Sequence, residues 1–329
     1  MELPPTRDLA IAAGAAFAAA STFYHIQERR NRTRKIQRTD ERVLILGASS
    51  GVGRTLAHMY AQRGARVCVV GRRKKEIEEV ELECKTIQRI KESEDDRNAF
   101  SFCADFADPE QMVMLRDVIQ AEWQGVDTVI VAAGVISLQP LLSVANLKHD
   151  SDHVELEGVQ RVVEVAQAAL RSNFIGPLVS ATILIPLLLS TSNSPSILLM
   201  SSLASVIPAP TRSLYAATKS SSLLLYESLA IEHPSISFSF VMPSTIKGDF
   251  RSSAVDGGSV RDASSGPSQK GLDKSYVAKK CVEAIDYRKK HVFLPGFHGI
   301  SHLLYWLFPS FIEARAREKY QFIPKPPSF

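Results

Sequence analysis

Residues 41–53 read ERVLILGASSGVG, a short apolar run that passes without a break into a glycine-rich loop, and the helical pattern RTLAHMYAQRG follows. An apolar strand, a tight glycine turn and a helix start in immediate succession form a phosphate-binding arrangement. Glycine lets the backbone turn sharply and approach a pyrophosphate. The helix N-terminus behind it offers free N–H groups and the positive end of its dipole. Gly47, Ser49, Ser50, Gly51, Val52 and Gly53 are therefore the first candidate ligand contacts. Their spacing is GxxxGxG, distinct from the GxGxxG of other dinucleotide folds.

The same alternation of strand and helix continues downstream. Arg66–Val70 (RVCVV), Phe100–Cys103, Thr128–Val131 (TVIV), Ile197–Met200 (ILLM) and Ser237–Val241 (SFSFV) are short apolar runs separated by helical stretches. Runs apolar on both faces and spaced by helices specify a parallel sheet covered on both sides. The predicted fold class is α/β, a doubly wound Rossmann-type parallel sheet of about seven strands in one domain over residues 39–290. Lys91–Asn98 reads as a charged loop before the third strand. Arg251–Ser275, rich in Gly, Ser and Asp, is placed either as a mobile flap over a site or as a solvated surface loop.

With 45% hydrophobic and 22% charged residues in a chain of 329, the composition is that of an ordinary globular protein. The net charge of +4 is concentrated in Arg29, Arg30, Arg32, Arg34, Lys35 and Arg38. The remainder is near neutral and lacks the broad cationic field that nucleic acid attracts, so no nucleic-acid partner is expected. Cys68, Cys84, Cys103 and Cys281 show no CxxC spacing, which gives neither a zinc site nor a disulfide framework, and no metal is expected. Cys68 and Cys103, inside apolar runs, read as buried core thiols.

Residues 1–38 stand apart from this body. LAIAAGAAFAAASTFYHI, residues 9–26, is apolar and almost uncharged. A helix of that length spans about 27 Å, near the thickness of a hydrocarbon core. The basic cluster that follows holds the C-terminal side in the cytoplasm by the positive-inside rule. A mitochondrial transit peptide and a cleaved signal peptide are competing readings. Glu2 and Asp8 count against the first, and basic residues on the wrong side of the apolar stretch count against the second. The expected location is a membrane, the endoplasmic reticulum with a cytosolic catalytic domain, with mitochondrion or lipid droplet as alternatives. At the other end, within 291–329, ISHLLYWLFPSFI precedes Arg315, Arg317 and Lys319. It is too short to span and is interrupted by Pro309, which leaves three roles: an interfacial segment, packing on the body, or packing on another subunit.

The chemistry-bearing residues lie between these ends. Tyr215-Ala216-Ala217-Thr218-Lys219 puts a tyrosine and a lysine four apart, on one face of a helix. Ser201 and Ser202 lie upstream at a strand end, and Asn173 sits in RSNFIGPL. Together with GxxxGxG, these motifs resemble, in order and spacing, those of the short-chain dehydrogenase/reductase family, over roughly residues 41–250. The resemblance implies that Tyr215 is the general acid/base, with the Lys219 ammonium lowering its pKa and holding the nicotinamide ribose. It further implies that Ser202 donates to the substrate oxygen and that Asn173 anchors a water in a proton relay. Asp105 would meet the adenine amine beside Phe106, and Ala133 and Gly134 would form the turn after the fourth strand. NAD-preferring members carry an acid after the second strand; here Gly71 stands in its place and Arg72 and Arg73 follow, which favours the 2′-phosphate of NADP(H).

Three departures from the family pattern bear on the carry-over. NNAG has become Val131-Ala132-Ala133-Gly134, and the stretch between Gly134 and Asn173 is long, with KHDSDHVELEG as its extra piece. In the third, Gly248 replaces the threonine that bonds the nicotinamide carboxamide, a contact left to the backbone of Ile246. The resemblance extends to membrane-anchored members similar to 11β-hydroxysteroid dehydrogenase and 3-ketoacyl reductases. The expected activity is NADPH-dependent reduction of a carbonyl, or oxidation of the matching alcohol, on an apolar lipid-like or steroid-like substrate. A homodimer is compatible with the family pattern. The alternative is a weakly active NADPH-binding sensor or scaffold.

Overall fold

The computed structural model describes residues 13–23, 32, 35–89, 98–147, 153–257 and 271–322. Seven strands form one parallel sheet: β1 (Arg42–Leu46), β2 (Arg66–Gly71), β3 (Ala99–Cys103), β4 (Thr128–Val131), β5 (Ser196–Met200), β6 (Ser237–Pro243) and β7 (His291–Leu294), in the order 3-2-1-4-5-6-7. Side chains alternate across a pleated strand, and that period divides the core in two. Val43 and Ile45 of β1, with Val67 and Val69 of β2, face helices α1 (Gly51–Gln62), α2 (Lys74–Arg89) and α7 (Lys274–Asp286). Leu44, Leu46, Cys68 and Val70 face the opposite layer of α3 (Pro109–Trp123), α5 (Gly176–Thr191) and α6 (Ser213–Glu232), and α4 (Leu156–Leu170) packs against α6. Each large apolar side chain fully removed from water contributes about 1.5–3 kcal/mol, which explains why these strands read as continuous apolar runs.

The six strands expected from the sequence are present, and the seventh begins at His291, one residue beyond the expected domain boundary at 290. Cys103 is a correction: it is exposed, because β3 is an edge strand whose last residue leaves the covered layer, and its Sγ lies 3.6 Å from the Arg72 carbonyl. Arg32, one of the basic cluster, is buried. Its guanidinium donates to Glu41 at 2.9 Å and to Thr128 Oγ1 at 2.5 Å.

Leu156–Thr191 is long enough to cross a membrane, with mean hydropathy 1.9. Its inward residues Ala181, Leu184, Ile185 and Leu188 pack on the sheet, so it is a cover helix. A π turn, Arg171–Ile175, joins its two halves. Of the expected extra piece, residues 153–158 run into the first turn of α4, and 148–152 lie outside the described residues. At the N-terminus Ala13–Phe23 is an apolar helix, while residues 9–12 and 24–26 of the expected span lie outside the described residues. So do 91–97 of the charged loop and 258–270 of the expected flap.

Candidate functional site

The strand order reverses between β1 and β4, and both strands end there in tight turns. Open α/β sheets bind ligands in the crevice at such a switch point. Gly47, at φ +91°, lies so close to the β4 turn that a Cβ on it would come within 2.5 Å of the Ala133 nitrogen. A Cβ on Gly53 would collide with the Gly47 carbonyl. Ser50, the N-cap of α1, makes no side-chain capping bond, so the first-turn amides of α1 remain available to an anion. Arg73 lies over this loop, donating to Ser49 Oγ at 2.8 Å and to Ser50 Oγ at 3.0 Å. Gly71 is tightly enclosed, since a Cβ there would sit 3.0 Å from Ile77 and 3.5 Å from Ser49. A cradle this close to the backbone, with cations at its rim, fits a dinucleotide.

Tyr215 and Lys219 are buried on the first turns of α6. Burial pushes the Tyr215 hydroxyl up to about 12, while the Ser202 hydroxyl and the Arg212 guanidinium pull it the other way. Desolvation alone lowers Lys219 to about 8. The Lys219 ammonium donates to the Met200 carbonyl at 3.0 Å. The tyrosine therefore stands above its ordinary value in this geometry, where a net shift toward neutrality was expected. Burial in a low-dielectric site disfavours both charged forms, so the tyrosine moves up and the lysine moves down. Ser202 reaches the site from the end of β5, and its Oγ also accepts from the Ala204 amide at 3.2 Å as a cap.

Asn173 is fully buried on the π turn. Its Oδ1 accepts from the Val135 amide at 2.9 Å, and its Nδ2 donates to the Val135 carbonyl at 2.9 Å and to Thr218 Oγ1 at 3.0 Å. The side chain thus ties the β4 turn to α6. Asp105 is engaged by Arg171 Nη2 at 2.9 Å and by the Ala107 amide at 3.1 Å, and it does not line the cavity.

One cavity of about 1510 Å³ joins the glycine loop, Arg72, Arg73, Phe106, Ala133, Gly134, Ser202, Tyr215, Lys219 and Ile246. Asn173 supports this wall from behind. The sequence reading missed the other half of the lining: Lys247 and Lys274, apolar Ile136 and Leu138, and the C-terminal helices α8 (His298–Leu307) and α9 (Pro309–Tyr320). The C-terminal segment touches the body, yet none of its described residues is buried, so the three roles left open for it stay open. His302 Nδ1 lies 3.2 Å from the Val206 carbonyl, and Arg212 sits 5.5 Å from the Tyr320 ring centroid. The apolar character of α8 was visible in the sequence, but nothing local encodes which surface it covers.

Comparisons with known proteins agree with this architecture. The chain is 28% identical over 287 residues to 11-beta-hydroxysteroid dehydrogenase 1A of Arabidopsis thaliana, covering 84% of this chain and 75% of the relative. It is also 28% identical over 265 residues to dehydrogenase/reductase SDR family member 7B of Danio rerio, covering 78% of each. Among solved structures, the alcohol dehydrogenase of the archaeon Thermococcus sibiricus, complexed with 5-hydroxy-NADP, superposes with TM-score 0.60 at 18% identity. That match covers 77% of this chain and 95% of the other and speaks to the fold. A family model described as short chain dehydrogenase matches residues 41–257, well over half of the sequence, and the chain belongs to that family of nicotinamide-dependent oxidoreductases.

Proposed function

We propose that this protein is an NADPH-dependent carbonyl reductase of apolar, lipid-like ketones, working at a membrane with Tyr215 as its proton donor. The observation that carries the reading is the single cavity in which an Arg73-capped glycine loop and a buried Tyr215–Lys219 pair share one wall. Arg72 and Arg73, with no acid at Gly71, favour the 2′-phosphate: a guanidinium binds phosphate through paired hydrogen bonds, and a carboxylate repels it.

Bound here, the reduced dinucleotide supplies hydride to the carbonyl carbon. Tyr215, at about 12, is a neutral phenol at physiological pH and holds the proton that the carbonyl oxygen needs. Ser202 donates a hydrogen bond to the same oxygen, and Lys219 offsets the charge left on the Tyr215 oxygen after transfer. Ile136, Leu138, Ile207 and Phe250 give the substrate end an apolar wall.

The membrane reading rests on two features. One is the apolar helix Ala13–Phe23 with its basic flank, which favours an anchor facing the cytosol, as at the endoplasmic reticulum. The other is the outer face of α8 and α9, where Ile300, Leu303, Trp306 and Phe311 are each at least 60% exposed on the helices that wall the cavity. Leu156, Val159 and Val163 on α4, with Leu224 and Ile231 on α6, offer a second copy an apolar face for a homodimer.

The test is NADPH oxidation by the full-length protein in detergent against a panel of apolar ketones, beside Tyr215→Phe. Turnover with one ketone class that falls about 10³-fold or more in the variant supports the reading. Equal turnover in both proteins overturns the role of Tyr215. NADPH binding with reduction of none of the panel would favour the scaffold reading.

A further inference from the structure

Gly248 is the departure that removes a cofactor contact from the expected pattern, and the structure places a side chain in the vacated space. Segment 271–274 runs alongside 245–247: the Leu272 amide donates to the Thr245 carbonyl at 2.8 Å, and the Lys247 amide donates to the Leu272 carbonyl at 2.9 Å. This short pairing delivers Lys274, the first residue of α7, onto Gly248. A Cβ at position 248 would collide with Lys274 Cε and lie 2.8 Å from its Nζ. Gly248 also adopts φ +122°, which a threonine would hold only under strain. The Lys274 side chain thus fills the room that a side chain at position 248 would take, and would have to move for one to fit.

Two further observations say what the lysine is for. Lys274 lines the same cavity as Ile246 and Tyr215, and the Phe250 ring, two residues past Gly248, packs 6.4 Å from the Tyr215 ring. Position 248 thus belongs to the reacting end of the cavity, across from the Arg72–Arg73 end. Moreover, a cation in the first turn of a helix opposes the helix dipole, so this placement works against the stability of α7. Asp273 already caps that helix through the Ser275 amide at 2.8 Å, so Lys274 is not needed to start it.

We infer that Lys274 is a cofactor-binding residue, its ammonium replacing the missing threonine as hydrogen-bond donor to the pyrophosphate–nicotinamide half of the dinucleotide. The inference rests on the NADPH reading above. It adds that binding in this chain depends on a contact carried by α7 instead of the loop after β6.

Binding to full-length wild type, Lys274→Met and Lys274→Arg tests it, with two probes read by titration. NADPH carries the whole dinucleotide. Adenosine 2′,5′-bisphosphate carries the 2′-phosphate end and lacks the nicotinamide riboside. Lys274→Met should weaken NADPH about tenfold while leaving the bisphosphate within about twofold, as a lost charge-assisted bond predicts. Lys274→Arg should keep most of the NADPH affinity, and the ligand-free Lys274→Met protein should melt no lower than wild type. NADPH affinity unchanged in Lys274→Met, or equal weakening of both probes, overturns the inference. If wild type itself fails to bind NADPH, it is the underlying cofactor reading that falls.

Discussion

Tyr215 and Lys219 show how burial sets the character of two groups that the sequence pairs. Removing both from water raises the phenol to about 12 and lowers the ammonium to about 8. The lysine consequence is measurable without any substrate. An unfolded lysine titrates near 10.5, so between pH 8 and 10.5 the unfolded chain binds more protons than the folded one, and stability rises with pH across that window. Below pH 8 both states are protonated and the full desolvation penalty is present. Relative to Lys219→Met, wild type should therefore gain up to about 3 kcal/mol between pH 7 and 10, read by denaturant unfolding of the two proteins side by side. Parallel curves across that range would mean that Lys219 stays solvated. Asn173 teaches a related lesson: the residue type was legible as part of a motif, but its side chain is spent on Val135 and Thr218. Hydrogen-bond partners come from elements distant in sequence, and no local pattern names them.

At the scale of elements, the glycine loop and the start of α2 meet through one side chain. Arg73 reaches from the end of β2 to Ser49 and Ser50 on the loop after β1, so one guanidinium links two βα turns. Arg73→Glu should weaken NADPH binding about 100-fold and leave NADH within a few-fold, because only the former brings a phosphate against the new carboxylate. Equal effects on both cofactors would show that Arg73 serves the loop alone. Central strands were legible because they are apolar on both faces: β1, β2, β4 and β5 have almost no exposed residue. The edges were not. β7 is half-exposed and only four residues long, and Cys103 leaves the core at the rim of β3. In the same way GxxxGxG and YxxxK are local spacings readable from one chain, whereas the pairing of Gly248 with Lys274 joins two segments separated by a loop.

Over the whole molecule, the cavity and the apolar outer surface share the same two helices. Residues of α8 and α9 line the cavity on one side, while Ile300, Leu303, Trp306 and Phe311 face outward. Such a face, next to Arg315, Arg317 and Lys319, suits a lipid surface from which an apolar substrate would enter. The chain has two tryptophans, and they report on this directly: Trp306 is 73% exposed and Trp123 is 3% exposed. In vesicles with brominated acyl chains, the full-length protein should show quenching that disappears in Trp306→Phe, with Trp123 as the unquenched reference. Quenching absent from wild type would place α8 in water.

The central claim, hydride transfer with Tyr215 supplying the proton, is tested most directly by NADPH deuterated at the transferable position of nicotinamide C4. Wild type with the responsive ketone should yield an alcohol carrying one deuterium on the carbinol carbon, and Tyr215→Phe should bind the same cofactor and yield almost none. Deuterated alcohol formed equally by both proteins, or alcohol without the label from wild type, would contradict the account.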